Sequence, residues 1–189
     1  MHHKIVALDA WAVAIPQSLI TLPEPHTYEL VNITTRLEST EAIQDAVRDA
    51  TIVCMNVTPM KGSTLDVSKT PNLQFIVAIA VGTDCIDVPL AEARGIKVVN
   101  CPNCNTDTVA NHALAMYFAT RRHLMQLHNA VFGTDEWMKK SSLTSVLKGP
   151  DGRPPMTCQD ETVGIIGYGS VGRSLHQKRS RTYTLTVQL

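Results

Sequence analysis

The chain has 189 residues, 44% hydrophobic and 18% charged, with 17 Lys plus Arg against 17 Asp plus Glu. That composition can bury a real core, and at zero formal net charge nothing points to a broad basic surface for nucleic acid or an anionic membrane. No apolar run reaches the length of a bilayer span. The start, Met1-His2-His3-Lys4, leads straight into a short apolar run, so no secretory leader is expected. Cys54, Cys85, Cys101, Cys104 and Cys158 are odd in number and irregular in spacing. That argues against a disulfide framework and for a reducing, cytoplasmic setting. His2 and His3 read as incidental exposed residues, and no metal site is expected.

In chain order, Lys4 to Ala10 reads as a strand and Tyr28 to Ile33 as a weaker one. Ser39-Thr40-Glu41 opens a helix, with a hydroxyl cap followed by an acid in the first turn. Thr51 to Val57 is a third strand. Leu73 to Val81 is the most apolar run and should be a central, doubly covered strand. Pro89 to Arg94 is a short helix ended by Gly95, and Ile96 to Asn100 is the next strand. Continuous apolar strands alternating with helices imply an α/β unit with a parallel sheet and helices on both faces, flavodoxin-like or Rossmann-like.

A long helix is expected from Thr106, its cap, to about Val131, small and apolar in its first half and closed by Gly133. Residues 134–160 carry loop chemistry in Gly149-Pro150-Asp151-Gly152 and Pro154-Pro155, with Trp137 as an anchor. The expected organisation is residues 1–104 as one domain, 105–133 as a crossing helix and 134–189 as an incomplete second domain.

Thr162 to Ile166 reads as a strand running into Gly167-Tyr168-Gly169-Ser170-Val171-Gly172. G-x-G-x-x-G after a strand is the dinucleotide turn. The first Gly makes the turn, the second admits the pyrophosphate, and the third lets the next helix pack on the strand. The helix amides and dipole then face the phosphates. The segment Arg173 to Arg181 offers one apolar residue, Leu175, where a packed helix should follow, so a solvated or disordered end is expected there. Thr182 to Leu189 alternates like a half-exposed strand.

Three blocks in this order resemble the D-isomer-specific 2-hydroxyacid dehydrogenases: Ile79 to Asp87, Gly95 to Asn100 running into Asn105 to Leu114, and the glycine turn. The likeness covers about residues 4 to 175. It implies a substrate-binding domain first, then the start of a Rossmann domain for NAD or NADP. It also implies hydride transfer with a small 2-hydroxy or 2-keto acid, and full-length relatives that are often homodimers. The loop matching Val81-Gly82 offers amides to the substrate carboxylate. Asn105 matches a position near substrate, and Thr108 one beside the nicotinamide. Asn111 stands where the family usually has Glu, and Cys85 where Asn or His is common. The family's catalytic Arg, Glu and His lie downstream of the glycine turn. The likeness therefore implies a chain cut short after that turn, with no catalytic residue assignable and no activity alone. His112 and His123 read as packing or surface residues, not substitutes.

Cys101-Pro102-Asn103-Cys104 before a helix is a possible redox motif. No second C-x-x-C accompanies it for zinc, and it falls at the family's domain-crossing turn. The non-enzyme alternative is a remnant that binds a small acid or a full-length partner.

Overall fold

A computed structural model describes residues 1–155 and 162–180. The chain divides into two compact units, Met1–Cys104 and Asn105–Leu189.

The first unit is a five-stranded parallel sheet in the order β2-β1-β3-β4-β5. Its strands are β1 (His2–Ala7), β2 (Thr27–Asn32), β3 (Ile52–Met55), β4 (Phe75–Ala78) and β5 (Lys97–Val99). Each lies within the expected apolar run or within two residues of it. The run 73–81 is an inner strand as expected, although only 75–78 make the ladder. Helix α1 (Thr40–Val47) begins where Ser39 Oγ accepts from the Ala42 amide at 3.1 Å. Helix α2 (Val88–Ala93) is capped by the Asp87 carboxylate and stops at Gly95, whose φ of 73° few side chains tolerate.

Successive residues of a strand face opposite sides, and the core divides accordingly. Val6, Leu8, Val53, Met55, Ile76 and Ala78 join Ile43 and Val47 of α1 and Ala91 of α2 on one face. Burying each large aliphatic side chain there contributes about 1.5–3 kcal/mol. Ile5, Ala7 and Cys54 on the other face pack with Ile15 and Ile20 from the loop after β1. Both helices of this unit thus serve one face, where helices on both were expected.

The second unit is helical among its described residues. The expected single helix is two: α3 (Thr106–Arg121) and α4 (Leu124–Phe132), separated by Arg122 and by His123 in the left-handed region at φ 50°. Cations suit the negative end of a helix, and Arg121-Arg122-His123 makes that end inside the sequence rather than after it. Asn105, not Thr106, stands at the cap position, and its side chain makes no capping bond. In α3 only Ala110 is fully buried, fewer residues than its small apolar first half suggests. Gly133 does end α4. Helix α5 (Glu136–Lys140) carries Trp137, half exposed.

Helix α6 (Ser170–Ser180) forms and lies against α3, where a solvated end was expected. An ion pair of 2.6 Å between Lys178 and Asp107 spans the two. Residues 162–165 pair with no strand among the described residues, so the strand expected before the glycine turn is not present. The expected strand at 182–189 lies outside the described residues.

Candidate functional site

All five strands are parallel, so their C-terminal ends share one edge of the sheet. In open α/β sheets this edge is where ligands bind. Val81 and Gly82 follow β4 at that edge, and both are exposed. The Val81 carbonyl accepts from Asn100 Nδ2 at 2.7 Å, and the Ala80 carbonyl from the Cys101 amide at 2.9 Å. Among the described residues, neither the Val81 nor the Gly82 amide donates to a partner. A Cβ on Gly82 would meet only Asp84 Oδ2, at 2.7 Å, and that carboxylate can rotate away.

The same edge holds a group that the sequence reading passed over. Asp9, four per cent exposed, follows β1. Its Oδ2 accepts from the amides of Asn56, Val57 and Thr58 at 2.6, 2.9 and 3.1 Å, and its Oδ1 from Thr58 Oγ1 at 2.6 Å. Burial pushes its carboxyl up, but the Thr58 hydroxyl and the three amides outweigh burial and hold it below the usual aspartate value. Asp9 thereby fixes the loop after β3, next to the strand that carries Val81-Gly82. The available signal was an acid inside an otherwise apolar run.

The opposite edge corrects the reading of His3, while His2 is exposed as expected. His3 lies in β1, is buried, and its Nε2 meets His26 Nδ1 at 2.9 Å with the rings stacked. Burial first, then neighbouring His26, hold its imidazole below the usual value. Both rings stand at the N-terminal ends of β1 and β2, remote from Val81-Gly82 within this unit.

In the second unit, Asn105 and Thr108 are exposed at the start of α3. Asp107 between them is held below the usual carboxylate range, chiefly by its bond to Lys178 of α6. The beginning of α3 and the helix that follows the glycine turn are thus side by side.

In the turn itself Gly167 has φ 92°, reserved in practice for glycine. Around Gly169 there is open space where a side chain would stand, and a Cβ on Gly172 would collide with the Gly167 carbonyl. No acid occupies the first turn of α6. Tyr168, Ser170 and Val171 complete the turn, and the Tyr168 carbonyl accepts from the Arg173 guanidinium at 3.2 Å. A glycine-lined opening at the N-terminus of an eleven-residue helix fits the pyrophosphate of a dinucleotide. The four described cysteines, Cys54, Cys85, Cys101 and Cys104, are free. No cluster of metal-ligating side chains occurs, and no helix is long and apolar enough to cross a membrane, both among the described residues.

The profile for D-isomer specific 2-hydroxyacid dehydrogenase, catalytic domain, matches residues 8–186. A glycerate dehydrogenase of Methylorubrum extorquens is 33% identical over 181 residues, covering 94% of this chain and 52% of the relative. A hydroxypyruvate reductase of Blautia hydrogenotrophica is 29% identical, covering 90% of this chain and 51% of the relative. In three dimensions the chain is similar to an NADPH-dependent glyoxylate/hydroxypyruvate reductase from Sinorhizobium meliloti in complex with citrate. That likeness has a TM-score of 0.69 at 24% identity and covers 98% of this chain and 53% of that one. An NAD-dependent formate dehydrogenase from Staphylococcus aureus in complex with NAD gives a TM-score of 0.67 at 23% identity, over 97% of this chain and 55% of that one. The chain spans about half the length of the curated relatives it matches. On the profile match and the shared parallel α/β architecture, the chain belongs to the D-isomer specific 2-hydroxyacid dehydrogenase family.

Proposed function

We propose that the chain forms the substrate-holding and phosphate-binding part of an NAD(P)-dependent D-2-hydroxyacid oxidoreductase. Residues 1–104 serve as the substrate-binding domain, 105–133 as the crossing segment and 134–189 as the start of the cofactor domain. The observation that carries this reading is the pair of amides at Val81 and Gly82, unengaged among the described residues, at the C-terminal edge of a parallel sheet. Two adjacent backbone donors, ordered before binding, suit the carboxylate of a small 2-hydroxy or 2-keto acid. The names of the relatives, which include glycerate, hydroxypyruvate and glyoxylate, support that substrate class.

Asn105 is assigned a place near the substrate and Thr108 one beside the nicotinamide. Gly167, Tyr168, Gly169, Ser170, Val171 and Gly172 would take the pyrophosphate of NAD or NADP, which supplies the hydride donor or acceptor when bound. The open space at Gly169 supports close backbone approach there. The setting is taken as cytoplasmic, with neither nucleic acid nor membrane as partner. Pairing with a second copy is part of the proposal, supported by the exposure of Leu124, Met125, Phe132 and Met138.

Turnover by these 189 residues alone is not expected. The reaction needs a general acid/base at the substrate hydroxyl. The histidines of the first unit, His2, His3 and His26, stand at the wrong end of the sheet for that role.

Two measurements test the reading. Oxalate or D-glycerate titrated into the isotopically labelled chain should move the Val81 and Gly82 amide resonances. Gly82→Val, whose Cβ would meet only the end of the Asp84 side chain, should weaken that binding about tenfold or more. Resonance shifts confined to other loops would overturn the assignment. An assay with NADH or NADPH and hydroxypyruvate, glyoxylate or pyruvate should stay at background, and genuine turnover would show that a catalytic group has been missed.

A further inference from the structure

We propose that Cys101 and Cys104 form a reversible dithiol–disulfide pair, a thiol-exchange site in the turn between β5 and α3. Pro102 and Asn103 separate the two cysteines, with Asn103 at φ 62°. The Cys104 amide points back to the Cys101 carbonyl at 3.5 Å. Proline second and a positive φ third describe a type II turn, whose end Cα atoms lie within about 7 Å. A disulfide needs a Cα separation of about 4.4–6.8 Å, a range that the end-to-end span of such a turn reaches.

Accessibility divides the cysteines by role. Cys104 is exposed and Cys101 half-buried, both as free thiols. An open attacking thiol with a sheltered one three residues away is the arrangement of redox-responsive pairs. Cys54 is buried, and burial pushes its thiol up to about 11, which removes it from exchange at neutral pH.

The co-reactant is a small-molecule disulfide. The Cys104 thiolate attacks one of its sulfurs, the S–S bond breaks, and the first small thiol leaves with the proton that Cys104 gave up. The Cys101 thiolate then attacks the Cys104 sulfur of the mixed disulfide and expels the second small thiol, which takes the Cys101 proton. The protein loses two electrons and two protons, and one small disulfide becomes two thiols.

The turn is tied to the loop assigned to the substrate. The Cys101 amide donates to the Ala80 carbonyl at 2.9 Å, and neighbouring Asn100 donates to the Val81 carbonyl at 2.7 Å. Closing the disulfide therefore alters the support of Val81-Gly82. This consequence for ligand binding rests on the function proposed above, whereas the disulfide itself does not.

The test exposes the purified 189-residue chain to glutathione buffers of rising oxidised fraction, followed by acid quench, alkylation and peptide mapping. The expected result is a peptide carrying Cys101 and Cys104 that is lighter by two hydrogen atoms. Dithiothreitol should reverse the change, Cys101→Ser and Cys104→Ser should abolish it, and Cys85→Ser should leave it in place. Glutathione retained on Cys104, a cross-link to Cys85 or Cys158, or unmodified thiols in fully oxidised buffer would each overturn the pair. Amide resonances of Ala80 to Gly82 recorded in both redox states complete the test. A disulfide that forms while neither state binds oxalate leaves the redox pair standing and removes the substrate-loop assignment instead.

Discussion

Removing the Asp9 carboxylate should weaken the first unit more than most single substitutions. Three backbone amides and the Thr58 hydroxyl converge on it, all within 3.1 Å, in a pocket that leaves the residue four per cent exposed. Hydrogen bonds to a charged acceptor contribute about 1.5–3 kcal/mol each, and each buried donor left without a partner costs about 1–3 kcal/mol. Asp9→Ala strands several donors at once. Local relaxation and entering water recover part of the sum, so a loss of about 3–5 kcal/mol is expected. Asp9→Asn keeps the shape and can turn its amide nitrogen toward the Thr58 hydroxyl oxygen, but it loses the charge that strengthens the bonds from the three amides, and about 2 kcal/mol should go.

The pH dependence separates this account from mere packing. The carboxyl of Asp9 is depressed in the folded state, so the stability it contributes is fully present above the ordinary aspartate pKa. That contribution drains away as pH falls through the lower folded value. The deficit of Asp9→Asn against the native chain should be greatest at neutral pH and should shrink in acid. Urea unfolding followed by circular dichroism across a pH series measures it. An Asn variant as stable as the native chain at pH 7, or a deficit that does not change in acid, would refute the reasoning.

Other contacts in the two units lead to further expected outcomes. Gly172→Ala should destabilise the second unit and abolish any nucleotide binding, because its Cβ collides with the Gly167 carbonyl; calorimetry and NADH fluorescence titration check both. Arg94 donates to the carbonyls of Leu65 and Thr70 and to Thr70 Oγ1 at 2.6, 2.7 and 2.8 Å. Arg94→Met should therefore cost about 2–3 kcal/mol in urea unfolding. Cys54, buried and with its thiol raised to about 11, should resist iodoacetamide at pH 8 until the chain is unfolded, whereas Cys104 reacts at once.

The sheet was legible because parallel strands buried on both faces leave nearly continuous apolar runs, as at Ile5 to Leu8 and Ile52 to Met55. What escaped depended on partners distant in sequence. His3 looked like an incidental terminal residue because the ring that shelters it is 23 residues away. Asp9 looked like a strand residue because its donors lie 47 to 49 residues on. The break at His123 carries no Gly or Pro to announce it. The glycine turn was legible as a local backbone pattern. The helix after it was not, because α6 is held by contact with α3 and the Lys178–Asp107 pair rather than by an apolar stripe of its own.

The direction in which β1 runs has a practical consequence. Met1 stands beside Pro25, whose carbonyl accepts from its amino group at 3.3 Å, at the edge of the sheet where all strands begin. Within the first unit, a handle attached at Met1 emerges opposite the loop of Val81 and Gly82. A first unit tethered to a sensor surface by its N-terminus carries that loop at its end away from the tether. A weak small acid can then be assayed by surface binding with the tether out of its way, an orientation set by the parallel pairing of His2 with Thr27.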